Sequence, residues 1–305
     1  MVKKNKPHLL VIGGTGFIGY NLILAAKKKD WKITCVSLNK LNKKKYIKGV
    51  DYLKIDISKL KELKAKLKGT FTYVVNLGGY VNHKQTQINE KKIIDTHFVG
   101  LVNLTIILSK LKIKKFIQIG SSAEYGKVKA PQKESDICVP DSKYGIAKLF
   151  STKFLIKLCR SKKFPAIILR FFQVYGEKQD LNRVLPQVIK GCLDNKTFPT
   201  SKGDQIRDFC HINDVIKAIF LALKVKNSNG QIFNIGCGKP KKIKDAINEI
   251  RKIIGSGKPL FGKIKYRKSE NMKLFPNIKK AKKILKWKPK INFKQGILMA
   301  INSYK

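Results

Sequence analysis

The chain has 305 residues, of which 43% are apolar, so it can bury a large core, and disorder over most of its length is not expected. Its 66 basic and 19 acidic residues give a net charge of +47, but the basic residues run through every segment and are mostly lysine, so we predict no specific nucleic-acid surface. No apolar stretch is long enough for a signal peptide or a bilayer span, which predicts a cytoplasmic protein without membrane insertion.

The order of the apolar patterns predicts strands and helices in alternation. Strand-like runs bounded by turn residues occupy 8–12, 32–37, 51–54, 71–76, 115–120, 166–172 and 231–235. Apolar residues at three- and four-residue spacing predict helices over 17–29, 58–67, 90–111, 142–160 and 213–224. This alternation is typical of right-handed βαβ units and predicts the α/β class, with a doubly wound parallel Rossmann sheet of about seven strands.

The alternation weakens after residue 176, where prolines and shorter helical pieces become frequent. We therefore predict two domains that are interleaved along the chain. The Rossmann domain takes residues 1–176 plus 212–238. A smaller C-terminal lobe, to which we assign substrate binding, takes residues 177–211 plus 239–305.

The first predicted strand is followed directly by the glycine motif Gly13-Gly-Thr-Gly16-Phe-Ile-Gly19, which opens the first predicted helix. Gly13 permits a tight turn, Gly16 lets backbone N–H groups approach a diphosphate, and Gly19 allows close helix packing. The diphosphate then meets the positive end of the helix dipole, so the Rossmann domain is predicted to bind a dinucleotide. The residues of this motif that we assign to cofactor binding are Gly13, Thr15, Gly16, Phe17, Ile18 and Gly19.

A dinucleotide site also needs a residue at the end of the second strand to bind the adenine ribose, and for NAD this is normally an acid. That strand ends at Ser37, with Lys40 and Lys43 close behind. The arrangement leaves room for a 2′-phosphate, so we predict NAD(P)(H) as cofactor with a slight preference for NADP. After the third strand, Asp56 and Ile57 are assigned to the cofactor, with the alternative that Asp56 is a helix N-cap.

Tyr144 and Lys148 are four residues apart at the start of the fourth predicted helix, so they project from the same face. An ammonium group beside a phenol favours the phenolate, which makes Tyr144 a usable general acid/base. The preceding loop, Gly120-Ser-Ser-Ala-Glu-Tyr-Gly126, offers hydroxyl groups at the carboxyl edge of the sheet, where ligands of such folds bind. Together these residues predict a catalytic site.

The sequence resembles the extended short-chain dehydrogenase/reductase family, which comprises NAD(P)-dependent sugar-nucleotide epimerases, dehydratases and reductases. The resemblance covers nearly the whole chain. Besides the two motifs above, it rests on segments 169–176, 183–187, 203–209, 211–214, 234–238 and 285–289.

The resemblance implies catalytic roles for three residues. Tyr144 would be the acid/base, Lys148 would hold the nicotinamide ribose, and Ser122 would hydrogen-bond the reacting sugar oxygen. Because the serine loop is one residue shorter than the family's commoner form, Ser121 is the alternative to Ser122. Gly78, in a segment that runs beside the cofactor in the family, is assigned to cofactor binding.

The resemblance also implies a set of substrate contacts. Arg207 and Arg267 match positions that clamp the diphosphate of the sugar nucleotide, and Arg183 would assist. As an alternative, any of these arginines forms a salt bridge between domains. Gln173 stands where many relatives carry an asparagine that faces the substrate phosphate. His83 is a candidate contact to the sugar, or otherwise an exposed side chain.

We therefore predict an NAD(P)-dependent oxidoreductase/epimerase that acts on a nucleoside-diphosphate sugar, with hydride transfer at hexose carbon C4 and Tyr144 as acid/base. The alternative is an NDP-4-keto-6-deoxyhexose reductase without epimerisation. Further alternatives are a 4,6-dehydratase and a non-catalytic dinucleotide-binding or RNA-associated protein. Dehydratases of the family carry Asp-Glu after the hydroxyl residue, whereas Ala123-Glu124 here lacks the proton donor. Glu124 itself is either a substrate contact or a cap or salt bridge on the surface.

The expected partner is a second copy of the chain. Helices 90–111 and 142–160 correspond to those that relatives pair into a four-helix interface, so a homodimer follows by analogy. The six cysteines show no Cys-x-x-Cys pair, so neither a disulfide framework nor a bound metal is predicted.

Overall fold

A computed structural model describes residues 6–39, 46–79, 87–267 and 270–304. Lys40 and Lys43, considered above for a cofactor phosphate, and His83, considered for the sugar, lie outside the described residues. In the part of the chain that is described, no helix is both long and apolar enough to cross a membrane.

The secondary structure alternates through the first half of the chain and becomes more mixed after it. The strands are β1 (His8–Ile12), β2 (Lys32–Ser37), β3 (Asp51–Lys54), β4 (Tyr73–Asn76), β5 (Lys115–Ser121), β6 (Ala166–Phe171), β7 (Gln173–Tyr175), β8 (Thr197–Pro199), β9 (Ile206–His211), β10 (Ile232–Ile235), β11 (Pro240–Lys242), β12 (Lys258–Leu260) and β13 (Lys273–Leu274). The helices are α1 (Phe17–Lys27), α2 (Leu60–Lys66), α3 (Gln87–Ile94), α4 (Gly100–Leu108), α5 (Lys143–Lys162), α6 (Val184–Leu193), α7 (Ile212–Lys224), α8 (Ile243–Ile254), α9 (Lys279–Ile284) and α10 (Phe293–Asn302). A π-helical turn (Asp95–Val99) joins α3 to α4, and a 3-10 turn (Ser122–Glu124) follows β5.

Seven strands form the main sheet in the order β10-β6-β5-β4-β1-β2-β3, and β1 to β5 pair in parallel. The chain runs from β1 to β2 and β3 on one side, then crosses to β4 on the other side. This is the doubly wound α/β topology that the sequence predicts, and each predicted strand of the sheet is confirmed within two residues at its ends. Because the crossovers diverge between β1 and β4, a crevice opens at their carboxyl ends, where folds of this class bind ligands.

The chain divides into two compact units. The first comprises Met1–Gly126, Cys138–Arg170 and Ile219–Phe233, and the second comprises Lys127–Ile137, Phe171–Ala218 and Asn234–Lys305. In the first unit, β6 is buried at all its positions and β1 at all but one, as expected for parallel strands covered on both faces.

The prediction of one continuous helix over 90–111 is wrong, because the π-helical turn separates α3 from α4. The Ser151 hydroxyl of α5 donates a hydrogen bond of 2.8 Å to the carbonyl oxygen of His97 in this turn. A π-helical turn has a wider repeat than the α-helix, and here it carries His97 into the interior, where the residue is 2% exposed. The spacing of apolar residues does not distinguish a π-helical turn from an α-helix, so this turn could not be predicted from the sequence.

The second unit contains short strands that the sequence analysis missed. β7, β11 and β13 all pair with β9, while α6, α8 and α10 share an apolar core. Arg207 and Asp208 lie within β9 and are nevertheless buried. Their charges break the apolar pattern by which strands are recognised, which explains why β9 was not predicted.

Residues near the end of the chain complete the core of the second unit. Trp287 is fully buried and its indole Nε1 donates a hydrogen bond of 2.9 Å to the carbonyl oxygen of Asp214. The Asp214 carboxylate accepts hydrogen bonds from the backbone N–H groups of Lys290 and Ile291 at 3.0 and 2.9 Å. These bonds connect Asp214 at the start of α7 to residues 287–291.

A buried glutamine joins two distant segments of the same unit. The backbone N–H of Gln132 donates to the carbonyl oxygen of Phe275 at 3.0 Å, and the backbone N–H of Phe275 donates to the Gln132 side chain at 3.0 Å. Asn277 donates to the Gln132 carbonyl oxygen at 2.8 Å. Residues 127–137 therefore belong structurally with the C-terminal part of the chain.

Candidate active site

The glycine loop turns tightly between β1 and α1. Gly13 has φ +76°, and a Cβ at this position would lie 2.9 Å from the backbone of Leu77 and Gly78. Its N–H donates to the carbonyl oxygen of Val36 at 2.8 Å. The turn predicted for Gly13 is confirmed, and the loop lies against the segment that follows β4.

The N-terminus of α1 is open. Gly16 is its N-cap residue, no side chain caps the first turn, and a Cβ at Gly16 would meet only the Gly13 carbonyl oxygen, at 3.5 Å. At Gly19, in contrast, a Cβ would lie 2.5 Å from the backbone of Gly13 and Gly14, which confirms close helix packing. Thr15, Phe17 and Ile18 are half-buried around this turn. Backbone N–H groups and the positive end of the helix dipole therefore form a cradle that suits a diphosphate.

The segment after β4 is held by a chain of amide hydrogen bonds. The Gly78 N–H donates to the Asn76 side chain at 3.1 Å, and the Asn76 amide donates to Gln118 on β5 at 2.9 Å. A Cβ at Gly78 would lie 2.9 Å from Ile12 at the end of β1. Gly78 therefore lets β1 and β4 end close together beside the cradle.

The residues predicted to bind adenosine lie at the ends of β2 and β3. The Ser37 hydroxyl donates to the carbonyl oxygen of Asn39 at 2.8 Å. Asp56 accepts hydrogen bonds from the N–H and the hydroxyl of Ser58, at 3.0 and 2.6 Å. Since Lys59 is the N-cap residue of α2, the N-cap alternative for Asp56 is wrong, and the predicted helix start at 58 is two residues early. Ile57 is buried.

Tyr144 and Lys148 lie in the first two turns of α5, which Ser142 caps by accepting a hydrogen bond of 3.1 Å from the Gly145 N–H. Lys148 is 4% exposed, and its Nζ donates to the carbonyl oxygen of Ile119 at 2.8 Å. The same nitrogen lies 5.8 Å from the centroid of the Tyr144 ring. Burial lowers the pKa of Lys148 to about 8, and the Glu124 carboxylate opposes part of this change.

The structure adds His97 to this pair. The His97 ring meets the Tyr144 ring edge-on, with centroids 5.1 Å apart. Gly79 allows this placement, because a Cβ there would collide with the imidazole. Sequence reasoning missed His97; the available signal was a histidine next to the apolar pair Phe98 and Val99 within a predicted helix.

The serine loop holds its two hydroxyl groups differently. Ser121 ends β5 and is half-buried, and its hydroxyl oxygen accepts a hydrogen bond of 3.1 Å from the Ala123 N–H. Ser122 begins the 3-10 turn and is only 6% exposed. Of the two, Ser121 is therefore the more accessible at the edge of the sheet.

Glu124 caps the 3-10 turn and forms a salt bridge, as the alternative predicted, but the predicted surface position is wrong because the residue is fully buried. It forms an internal ion pair with Arg170, whose Nε lies 2.8 Å from its carboxylate. The other oxygen accepts a hydrogen bond of 2.8 Å from the Ser121 N–H. Because both oxygens are engaged inside the protein, the geometry gives no support to the substrate contact either.

Arg170 was not predicted as a site residue. It is 2% exposed, and its guanidinium lies 4.7 Å from the centroid of the Tyr125 ring. Burial is the largest single influence and lowers the pKa of Arg170, but Glu124, Tyr125 and Cys138 together outweigh burial and raise the pKa. Arg170 therefore stays charged in the interior.

Gln173 and the three arginines predicted to contact the substrate lie in the second unit. Arg207 is 7% exposed and forms an ion pair with Glu270, which sequence reasoning missed. Burial lowers the pKa of Arg207. The Glu270 carboxylate acts in the opposite direction, and the nearby positive charge of Arg267 lowers the pKa further. Arg267 is exposed, as are Arg183, at the N-cap of α6, and Gln173 on β7. The structure brings Arg207 and Arg267 into one charged group.

Comparison with known proteins gives relatives that match nearly the whole chain. A model of the NAD dependent epimerase/dehydratase family matches residues 9–236. A protein of Methanocaldococcus jannaschii, provisionally named UDP-glucose 4-epimerase, is 30% identical over 309 residues, which cover 96% of this chain and 97% of that protein.

Two solved structures share the fold. UDP-glucose 4-epimerase from Thermotoga maritima, solved with UDP-glucose, has a TM-score of 0.89 and 24% identity, and the match covers 97% of this chain and 98% of that chain. UDP-glucuronic acid 4-epimerase from Bacillus cereus, solved with UDP-glucuronic acid and NAD, has a TM-score of 0.86 and 24% identity over the same shares of the two chains.

The glycine loop yields a first test. We expect Gly19→Ala to lower the free energy of unfolding by about 1–3 kcal/mol, because its Cβ would overlap backbone atoms that cannot move aside. Gly16→Ala, whose Cβ meets open space, should lower it by less, about 0.5–1 kcal/mol, because alanine is a poorer N-cap residue than glycine. Urea unfolding followed by circular dichroism measures both. Equal stability of the two variants would contradict the packing described for Gly19.

Proposed function

Because this chain belongs to the NAD dependent epimerase/dehydratase family, we propose that this enzyme is an NAD-dependent UDP-sugar 4-epimerase. The observation that carries the proposal is the Tyr144 and Lys148 pair, held on one face of α5 with the Lys148 ammonium buried against the Ile119 carbonyl. The names of the relatives support the substrate class, since they include UDP-glucose and UDP-glucuronate 4-epimerases.

The proposed cofactor is NAD, held by the cradle at the start of α1. The open space at Gly16 and the uncapped N–H groups of the first turn fit a diphosphate. Bound there, NAD would accept a hydride from the sugar and return it. The preference for NADP inferred from Ser37 stays a prediction, and two observations speak for NAD: Ser37 directs its hydroxyl to Asn39, and several structural neighbours contain NAD.

In the proposed mechanism, Tyr144 moves the proton of the sugar hydroxyl at C4. The buried ammonium of Lys148 favours the phenolate form of Tyr144, which can then accept that proton and later return it. The edge of the His97 ring restricts the position of the phenol ring. Ser121 or Ser122 would hydrogen-bond the same sugar oxygen, and we favour Ser121 because its side chain is the more accessible.

The arginines of the second unit would bind the diphosphate of the substrate. Arg207 is held in place by Glu270, while Arg267 and Arg183 are free of the interior and can close on phosphate oxygens. Gln173, which is also exposed, would add an amide contact. A guanidinium can contact two phosphate oxygens at once, which explains arginine at these positions in a lysine-rich chain.

A 4,6-dehydratase is a weaker candidate on the geometry of the serine loop. Elimination of water needs an acid beside the leaving hydroxyl. Ala123 carries none, and the Glu124 carboxylate is engaged by Ser121, Thr152 and Arg170 in the interior.

We also propose that the enzyme is a homodimer. Apolar side chains remain exposed on α5 and α3, which pack against each other: Phe150 and Ile146 on α5 are 57% and 37% exposed, and Ile94 on α3 is 45% exposed. Exposed apolar residues grouped on neighbouring helices are typical of an interface. A second copy of the same helices would cover them in an antiparallel bundle.

The first test of the proposed function concerns turnover and the retained cofactor. We expect the purified protein to release NAD on denaturation and to interconvert UDP-glucose and UDP-galactose, or the corresponding uronic acids, without added cofactor. Tyr144→Phe should lose activity by about 10²–10⁴-fold and keep its NAD.

Gly16→Ala should fold but lose NAD, because its Cβ occupies the diphosphate space. Net consumption of NADPH with release of a reduced sugar would instead identify a reductase.

A second test decides between the two serines. Ser121→Ala should lower kcat by about 10–100-fold if its hydroxyl bonds the reacting oxygen, whereas Ser122→Ala should leave kcat within about threefold of wild type. Steady-state kinetics with retained NAD content as the control measures both. The reverse order would return the role to Ser122.

A third test addresses the dimer. Phe150→Lys places a charge on the proposed interface and should convert a dimer into a monomer at micromolar concentration, as measured by light scattering. Leu298→Lys on α10, where the side chain is 45% exposed, is the matched control and should not change the mass. A monomeric wild type would contradict this part of the proposal.

A further inference from the structure

Glu124 joins three elements of the first unit from a fully buried position. One carboxylate oxygen accepts a hydrogen bond of 2.8 Å from the Ser121 N–H at the end of β5. The other accepts from the Thr152 hydroxyl on α5 and from Arg170 Nε on β6, both at 2.8 Å. The carboxylate therefore connects the serine loop to the helix that carries Tyr144 and Lys148.

We propose that Glu124 is a positioning residue of the active site, which fixes the Ser121 end of β5 and holds the Lys148 ammonium beside Tyr144 through its buried negative charge. The inference deepens the proposed function and rests on it, because it takes Tyr144 and Lys148 as the acid/base pair.

The spacing along α5 determines on which group the charge acts. Tyr144, Lys148 and Thr152 follow one another at four-residue intervals, so they lie on one face of the helix. Glu124 contacts the Thr152 end of this row, and Tyr144 lies two turns away, about 12 Å along the helix axis. The carboxylate therefore acts more strongly on Lys148, which lies between, than on the phenol.

The groups around Lys148 come from each element packed against it. Tyr144 belongs to the same helix, and His97, which contacts the Tyr144 ring, belongs to the π-helical turn. Glu124 belongs to the 3-10 turn, and its partner Arg170 lies behind it on β6. Burial lowers the pKa of Lys148 to about 8, and the negative charge of Glu124 opposes this change. Loss of that charge would leave Lys148 neutral over more of the physiological pH range.

Stability alone does not account for the arrangement. Replacing a buried ion pair by apolar residues of similar volume often leaves a protein as stable or more stable. An apolar pair in place of Glu124 and Arg170 would fill the core, but it would give the Ser121 N–H no acceptor and Lys148 no opposing charge. Both consequences concern the active site.

The test is a titration of the Tyr144 phenol in the NAD-loaded protein. Tyrosinate absorbance is recorded against pH, and the same curve for the matching Tyr144→Phe variant is subtracted. In Glu124→Gln the pKa of Lys148 falls, so its ammonium is lost at lower pH and the phenolate loses its neighbour. We expect the Tyr144 midpoint to move to higher pH by about one unit.

Glu124→Asp separates charge from shape. It keeps the negative charge and shortens the side chain, so we expect a midpoint close to that of wild type, whereas a purely structural role would favour the isosteric Gln. Asp214→Asn removes a buried carboxylate from the second unit and is the matched control, with no expected shift. An unchanged midpoint in Glu124→Gln, equal shifts in the Gln and Asp variants, or an equal shift in the control would each overturn the proposal.

A further variant covers the case in which Glu124→Gln does not fold. Thr152→Val detaches the carboxylate from α5 and leaves its ion pair with Arg170 intact, so a smaller shift in the same direction is expected and its absence overturns the proposal. The titration needs no sugar substrate. A wild type without epimerase activity would therefore contradict the proposed function and still leave the role of Glu124 to be decided by the phenol midpoint.

Discussion

The first unit buries the amino group of Lys148 almost completely, and it places a hydrogen-bond acceptor and an opposing charge around that group. The Lys148 ammonium has the Ile119 carbonyl as a hydrogen-bond acceptor and Glu124 as the opposing charge. The acceptor lies at the end of a central parallel strand, and the charge comes from the turn that follows it. A buried cation of this kind is stable only where dipoles and an acid are fixed around it before the substrate arrives.

The chain has few acids, and several of them lie inside. Only 19 acidic residues accompany 66 basic ones, yet Glu124, Asp208 and Asp214 are all buried. Burial raises the pKa of Asp208 to about 6, although backbone N–H groups of Cys237 and Gly238 donate to it. The buried acids therefore accept hydrogen bonds from backbone N–H groups or pair with buried cations. Most lysines face solvent and account for the large net charge.

The strands of the main sheet and the glycine loop could be predicted from the sequence because apolar runs and glycine spacing are local signals. Tyr144 and Lys148 could be predicted as a pair for the same reason, because their four-residue spacing places them on one face of a helix. His97, Arg170 and Glu270 were missed because their roles depend on contacts between segments far apart in the chain. Glu124 shows the limit most clearly, because a carboxylate in a polar loop reads as exposed until β6 supplies Arg170. The NADP preference was inferred from Ser37 together with Lys40 and Lys43, and the two lysines lie outside the described residues.

The hydrogen bonds of Gln132 to Phe275 and Asn277 have a consequence for biosynthesis. About 140 residues separate the partners, so during translation Gln132 has left the ribosome long before its partners are made. The core around Trp287 likewise forms only after residues 287–291 have been made. The second unit can therefore complete its folding only after these segments have emerged, and the nascent chain must keep its earlier apolar segments from aggregating until then.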